Sequence, residues 1–438
     1  MDTLISNVTV VTMNEQMDVL FGAYIGIQDG KILSISKTPP EEQPSTIIDG
    51  TGMVAIPGLI NCHTHLATTV LRNLTDDENR RQALEAQLCK EDKMNSRIAK
   101  AAATLGIAEC LRFGITSVSD LYYFPDAMAQ AAADAGIKAN IALSAYRYIS
   151  QTEDFDFETD EQCREFCRVA DQWHGFDQGR IKIDGGIHAP YTSNYPLWEG
   201  ISDYCREKGL GIQLHLAQTK EEEDDSLDRT GLSSAELLNC HRFFDNPTLA
   251  AGCNAVSDED LPILKKKQVS VAVTPLADAK AGQPCTPISK TVKAGINVSL
   301  GTGGAIECGN LDMFEVMRGA AMAERTVSCD PAAMPAAAVL MMATVCGARA
   351  QGRSDSCGML KVGMDADIAL VDFSAPHLIP CHNVINGLVF SAKGGDVAMT
   401  MVRGKILYQN GIFPTIDLKN AVEELTNYAM NQLFEAKE

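Results

Sequence analysis

Three histidines that follow apolar segments are the side chains best suited to chemistry in this sequence. His63 and His65 end the segment that starts at residue 58, and His215 ends a second one over residues 211–214. Alternate residues of a β-strand share a face, so His63 and His65 are expected to point the same way. With His215 they can form a three-imidazole zinc site. The alternative is that His63 and His65 only satisfy each other at the end of a strand. It is disfavoured because burying two polar imidazoles that serve no function costs free energy.

A fourth histidine, His188, also ends an apolar segment, and we expect it to bind a ligand or to serve as a structural group. The acidic run 221–225 is predicted to begin a solvated helix. The glycine-rich segment 301–304 is similar to a phosphate loop, but the Lys-Ser/Thr pair of such loops does not follow it. No role is assigned to the remaining histidines, which are His174, His241, His377 and His382.

The elements that would position these side chains alternate between short apolar segments and longer helical ones from about residue 57 to 347. Eight strands are predicted, ending near residues 63, 120, 145, 188, 215, 253, 274 and 302. Eight alternations favour an α/β fold with a (β/α)8 TIM-type barrel over an open doubly wound sheet, and such barrels place their sites at the carboxyl ends of the strands.

Strand patterns near both chain ends predict one small β-sandwich domain built from the two ends. The expected boundaries are residues 1–56 for its first part, 57–350 for the barrel, 351–415 for its second part and 416–438 for a C-terminal helix.

Composition narrows the class of partner. The 438 residues are 45% hydrophobic, and 57 acidic against 37 basic side chains give a net charge of -20. This excludes a disordered chain and disfavours nucleic acid or anionic lipid, so a small molecule is the expected partner. The first residues lack a signal-peptide pattern and the apolar stretch 331–347 is too short to span a membrane, which predicts a cytoplasmic protein. Fourteen scattered cysteines predict reduced, buried thiols without disulfides.

Five motifs together resemble the amidohydrolase superfamily, in particular its branch of methylthioadenosine/S-adenosylhomocysteine deaminases and triazine chlorohydrolases. The motifs are PGLINCHTH at 57–65, HAPYT at 188–192, HLA at 215–217, NLDMFE at 310–315 and GMDADI at 363–368. The resemblance spans nearly the whole chain. It implies a barrel with a composite β domain, one zinc or iron ion, a homodimer, and hydrolysis of a C–N bond in a purine- or triazine-like heterocycle.

The resemblance also implies roles for six positions. Two histidines of strand one, the histidine of strand five and an aspartate after strand eight hold the metal, a glutamate three residues after the strand-five histidine moves protons, and a strand-six histidine orients the attacking water. His63, His65 and His215 match the metal-binding histidines. The other three positions do not match, because Gln218, Gly252 and Gly303 stand where glutamate, histidine and aspartate are expected.

These departures predict that no catalytic residue is intact. Glutamine cannot exchange a proton, and losing general acid–base help costs about 10² to 10⁴ in rate. Gly303 removes a charged ligand, so zinc or iron is expected to be weakly held or absent, and Gly252 is expected to leave an open space. Ordinary deaminase activity is therefore predicted to be impaired or absent.

Two alternatives stay open. One is an active hydrolase of non-peptide C–N bonds with a rebuilt three-histidine site, in which Glu307, Cys308 or Cys253 replaces the lost ligand. Cys253 is expected to face away from the site, because strand neighbours alternate. The other is a non-catalytic ligand-binding or partner subunit.

Overall fold

Two separate β-sheets organise the chain. The structure is a computed structural model and describes residues 1–148 and 155–434. Its strands are β1 (Thr3–Val11), β2 (Val19–Gln28), β3 (Lys31–Ser36), β4 (Thr46–Asp49), β5 (Met53–Pro57), β6 (Leu59–His65), β7 (Ile115–Tyr122), β8 (Lys138–Leu143), β9 (Ile181–Ile187), β10 (Ile212–Leu216), β11 (Thr248–Gly252), β12 (Ser270–Val273), β13 (Asn297–Leu300), β14 (Gly303–Gly304), β15 (Ile368–Asp372), β16 (Val397–Val402) and β17 (Lys405–Gln409).

The barrel is formed by β6 to β14. Strands β6 to β13 pair in chain order and run parallel. The two-residue strand β14 follows β13 closely and returns to β6, where Gly303 pairs with Thr64 and Gly304 with His65. This pairing closes the sheet and confirms the predicted TIM-type barrel. It also places the start of the next helix beside His65.

Helices cover the barrel and follow most of its strands. They are α1 (Arg80–Glu91), α2 (Ser96–Arg112), α3 (Pro125–Ala135), α4 (Glu161–Trp173), α5 (Phe176–Gly179), α6 (Tyr195–Lys208), α7 (Lys220–Thr230), α8 (Ser234–Cys240), α9 (Leu261–Lys266), α10 (Pro275–Lys280), α11 (Ile288–Lys293), α12 (Ala305–Cys308), α13 (Met313–Ser328), α14 (Ala336–Met342), α15 (Val345–Ala350), α16 (Val384–Phe390), α17 (Leu418–Glu423) and α18 (Met430–Phe434). A π-helical segment, Glu424–Ala429, joins α17 to α18. The last four residues of the predicted C-terminal helix, 435–438, lie outside the described residues.

The second sheet has the strand order β17-β16-β15-β5-β1-β2-β3, with β4 paired to β1. Its central contact joins the two chain ends, because β5 pairs antiparallel with β15 in a register that sets Ala55 opposite Leu370. The sheet has its own buried apolar cluster, which includes Ile5, Ile25 and Met401. A β-sandwich domain built from both ends is therefore confirmed.

Two features of composition can be compared with the structure. All fourteen cysteines are free thiols, but only six of them are buried, so the predicted burial is wrong for more than half. Within the described ranges, no helix is both long enough and apolar enough to cross a membrane.

Candidate active site

Strands β6 and β10 bring three imidazoles together at the carboxyl end of the barrel. The ring centroid of His63 lies 4.7 Å from that of His65 and 4.9 Å from that of His215, and the last two are 5.3 Å apart. One nitrogen from each ring lies within 4.8 Å of the others. Each residue is at most 7% exposed. The three histidines predicted from two distant segments are thus neighbours.

Backbone carbonyls orient two of these rings. His65 Nδ1 lies 2.7 Å from the Leu121 carbonyl oxygen, and His215 Nδ1 lies 2.7 Å from that of His188. Because a carbonyl only accepts, each Nδ1 must carry the proton and donate it, which leaves each Nε2 free to act as a metal ligand. Burial, followed by the neighbouring imidazoles, lowers the pKa of His63 and of His215 well below the ordinary value. Three neutral nitrogen donors with an open position fit a zinc-type ion.

A cavity of about 550 Å³ adjoins the histidines and is large enough for a small heterocycle. Its wall is aromatic and acidic. Tyr122 donates a 2.6 Å hydrogen bond to Glu91, and its ring lies 5.0 Å from that of Tyr123. A second cavity of about 790 Å³ lies beside α7. It shares four lining residues with the first cavity, which are Gln218, Thr219, Asn254 and Gln283, but none of the three histidines lines it. We place the chemistry in the smaller cavity for that reason.

His188 lies in the cavity wall, where a bound ligand could reach it. Its Nδ1 is 2.8 Å from Thr192 Oγ1, and its ring is 5.0 Å from that of His215. Burial, and then His65, lowers the pKa of His188 to about 4, so it is neutral at physiological pH. His188 also orients His215 through its backbone carbonyl.

Gln218 occupies the space beside Gly252. Gly252 has φ +89°, and a Cβ added there would lie 2.7 Å from Gln218 Cγ. The expectation of an open space at this position is therefore wrong. A side chain at 252 would need both a left-handed backbone and a different position for Gln218.

The carboxylate of Glu307 occupies the space beside Gly303 in the same way. Gly303 has φ +70°, and a Cβ there would lie 2.5 Å from Glu307 Oε2. That oxygen accepts a 2.7 Å hydrogen bond from the backbone N–H of Gly304. The other oxygen, Oε1, lies 4.0 Å from His65 Nε2.

The two cysteines considered as replacement ligands lie elsewhere. Cys253 is 2% exposed and belongs to the barrel's apolar core. The thiol of Cys308 donates to the Asn310 carbonyl oxygen, and burial raises its pKa to about 12. Among the described residues that line the cavity, neither cysteine occurs, and the four histidines without an assigned role are also missing there.

Asp278 is a cavity residue that sequence reasoning missed. Its Oδ1 accepts a 2.8 Å hydrogen bond from Asn254 Nδ2, and its buried Oδ2 has no hydrogen-bond partner among the residues that the structure describes. Burial, with a contribution from Glu307, raises its pKa to about 7. No sequence signal marks this residue, because one aspartate in the short helix α10 has no motif around it.

Comparison with known proteins agrees with this geometry. The Amidohydrolase family matches residues 54–407. A 5-methylthioadenosine/S-adenosylhomocysteine deaminase of Thermoanaerobacter pseudethanolicus is 34% identical over 98% of this chain and 99% of its own. A 5'-deoxyadenosine deaminase of Methanosarcina mazei is 36% identical over 97% of this chain and 96% of its own.

Two solved structures, both with zinc bound, are similar to this one. An adenosine deaminase from Xanthomonas campestris superimposes with a TM-score of 0.91, at 26% identity, with 98% of each chain covered. An atrazine chlorohydrolase from Arthrobacter aurescens gives 0.90, at 25% identity, over 98% of this chain and all of its own. By sequence and by structure, this chain belongs to the Amidohydrolase family.

Proposed function

We propose that this chain binds one divalent metal ion at its three clustered histidines and a purine- or triazine-like heterocycle in the adjoining cavity, with ordinary hydrolytic deamination impaired or absent. The observation that carries this proposal is Gln218. Its amide lines the cavity next to the three imidazoles, at the position where the family resemblance implies a proton-carrying glutamate. The names of the deaminase relatives support the ligand class.

The residues around the cavity would have different roles in binding and in proton transfer. His63, His65 and His215 would hold the ion, which supplies Lewis acidity when bound. His188 would contact the ligand from the cavity wall. The Gln218 amide can donate and accept hydrogen bonds but cannot take up and return a proton, so it orients a ligand without moving a proton. Binding is retained in this arrangement, whereas the acid–base step loses about 10² to 10⁴ in rate.

A second candidate, a working metal hydrolase with a rebuilt acid–base group, is favoured by one observation. Burial raises the pKa of Asp278 to about 7, and this carboxyl lines the same cavity. A group that titrates near neutral pH is suited to general acid–base catalysis.

Metal content and ammonia release, measured together, test the proposal. Protein purified without chelator is assayed with and without added zinc against 5'-deoxyadenosine, methylthioadenosine, S-adenosylhomocysteine and guanine. We expect about one zinc per chain when zinc is added, thermal stabilisation by at least one ligand, and no ammonia. Ammonia release that Asp278→Asn abolishes would support the second candidate instead. If the protein binds neither metal nor ligand and turns nothing over, the remaining interpretation is a non-catalytic partner subunit.

Gln218→Glu tests directly whether the missing proton carrier at residue 218 limits the reaction, because the two side chains have nearly the same shape. If the missing proton carrier limits the reaction, this variant releases ammonia at least about 10² faster than the parent. The matched control is Gln283→Glu, which adds the same charge to the same cavity wall. An equal gain from both variants would mean that added negative charge, and not the position of residue 218, causes the effect.

A further inference from the structure

We propose that Glu307 is the fourth ligand of the metal centre, supplied by α12 in place of a side chain at position 303. The inference rests on the proposed function only in assuming that the three histidines bind an ion. It assigns a residue that lies four positions beyond the expected aspartate, on a different element.

The Glu307 carboxylate lies beside the histidine cluster. Its Oε1 is 4.0 Å from His65 Nε2, while the ligand atoms of the three histidines already lie within 4.8 Å of one another. In a tetrahedral site with bonds of about 2.0 to 2.2 Å, two ligand atoms are about 3.4 Å apart, so Oε1 must move toward the histidines for one ion to bind both residues. The hydrogen bond from the Gly304 N–H to Oε2 keeps the carboxylate next to the site while Oε1 makes this movement.

The missing side chain at position 303 leaves room for the Glu307 carboxylate. A Cβ there would lie 2.5 Å from Glu307 Oε2, so a side chain at 303 would displace this carboxylate from its present position. The pairing of Gly304 with His65 closes the barrel and sets the first turn of α12 against the site. A glycine at 303 and a glutamate at 307 are therefore two parts of one arrangement.

Glu307 also brings a negative charge to the histidine cluster. Three neutral imidazoles compensate none of the charge of a divalent cation, and a buried cation without an anionic partner is unfavourable. Among the side chains that the structure describes, His65 is the one basic group recorded within 4.0 Å of the Glu307 carboxylate. The nearby Lys280 ammonium binds the Ile306 carbonyl oxygen and Asp76 instead. The negative charge of Glu307 is available to an ion.

Glu307 also caps a short helix, and a second glutamate separates that role from metal binding. Glu236 accepts a 3.1 Å hydrogen bond from the backbone N–H of Ser233 at the start of α8, as Glu307 does from Gly304 at the start of α12. Glu236 lines the other cavity, away from the histidines. If Glu307 is only a cap, its removal should resemble removal of Glu236.

The experiment compares Glu307→Gln with Glu236→Gln in the full chain. Both variants keep an oxygen that can accept the capping hydrogen bond while losing the charge. Zinc affinity is measured by competition with a chromophoric chelator, and the ligand set is followed by the visible absorption of the Co²⁺-loaded protein. His65→Ala provides the size of the effect when a histidine ligand is lost.

We expect Glu307→Gln to weaken zinc binding at least about tenfold and to change the Co²⁺ spectrum, with Glu236→Gln unchanged in both. Equal zinc affinities and identical spectra for the two glutamine variants would overturn the assignment of Glu307 and leave the three-histidine site standing. A parent protein that binds no zinc would instead overturn the proposed function, and this inference with it.

Discussion

A side chain at position 303 would meet two obstacles, and they can be measured separately. Gly303 and Gly209 both have φ +70°, but a Cβ at 303 meets Glu307 Oε2 while a Cβ at 209 has no atom within 4 Å. Backbone strain costs about 1 to 2 kcal/mol for either alanine. The Glu307 carboxylate can move away from a Cβ at 303 only by giving up its hydrogen bond to the Gly304 N–H, so we expect Gly303→Ala to cost about 0.5 to 1.5 kcal/mol more than Gly209→Ala in urea denaturation. Glu307→Ala should remove that excess, and equal losses for both glycines would contradict the observed position of Glu307.

Asp278 leads to a pH prediction. Its pKa is raised from 3.8 to about 7 by burial, so between about pH 4 and pH 7 the folded chain holds a proton that the unfolded chain has released. Stability contributed by this group is therefore lost as the pH rises through that window, by up to about 4 kcal/mol, and is constant above it. We expect Asp278→Asn to remove this loss in urea denaturation at pH 5 and pH 8. The exposed Asp228→Asn should keep it, and identical pH profiles for parent and Asp278→Asn would refute the shift.

At the scale of elements, one buried lysine joins the barrel to the second sheet. Lys138 on β8 is 2% exposed, and its Nζ lies 2.8 Å from Asp365 and 2.5 Å from Asp367, just before β15. Lys138→Met would leave the Asp367 carboxylate buried without its cation, while Asp365 keeps its pair with Lys31, and we expect a loss of about 3 to 5 kcal/mol in urea denaturation. Lys100→Met, which breaks an exposed pair with Asp134, should cost less than about 1 kcal/mol. Similar losses for the two variants would mean that the buried contact between Lys138 and Asp367 does not stabilise the packing of the two sheets.

The sequence predicted the elements that have a local apolar pattern and missed those that lack one. The eight predicted strands of the barrel, β6 to β13, are short apolar segments, and all are present. Helix α1 is polar along most of its length and lacks the apolar stripe by which helices are recognised, although Asn79 caps it. The apolar stretch 331–347 contains two helices, α14 and the start of α15, because the helix ends near Ala343. Strand β14 is two glycines whose pairing with β6 has no local signal.

For the whole molecule, the metal site should couple to global stability, since its ligands come from β6 and β10, which are not adjacent strands of the barrel. An ion that binds only the folded chain stabilises it by about 2.7 kcal/mol at a concentration 100 times its Kd. We expect zinc to raise the Tm and a chelator to reverse the rise. His215→Ala should abolish the response, while His241→Ala, on the α8 side of the molecule, should keep it. A zinc response that survives His215→Ala would place the ion elsewhere. The homodimer stays a prediction.

The sequence by itself determined the strand positions, the shared direction of His63 and His65, and the absence of acid–base side chains at 218, 252 and 303. These are local properties, because strand alternation and residue identity need no knowledge of the rest of the chain. Only the tertiary structure decided that His215 meets the other two histidines, that Glu307 fills the space at Gly303, and that burial shifts the pKa of Asp278. Those facts depend on distances between residues far apart in sequence, which barrel closure sets.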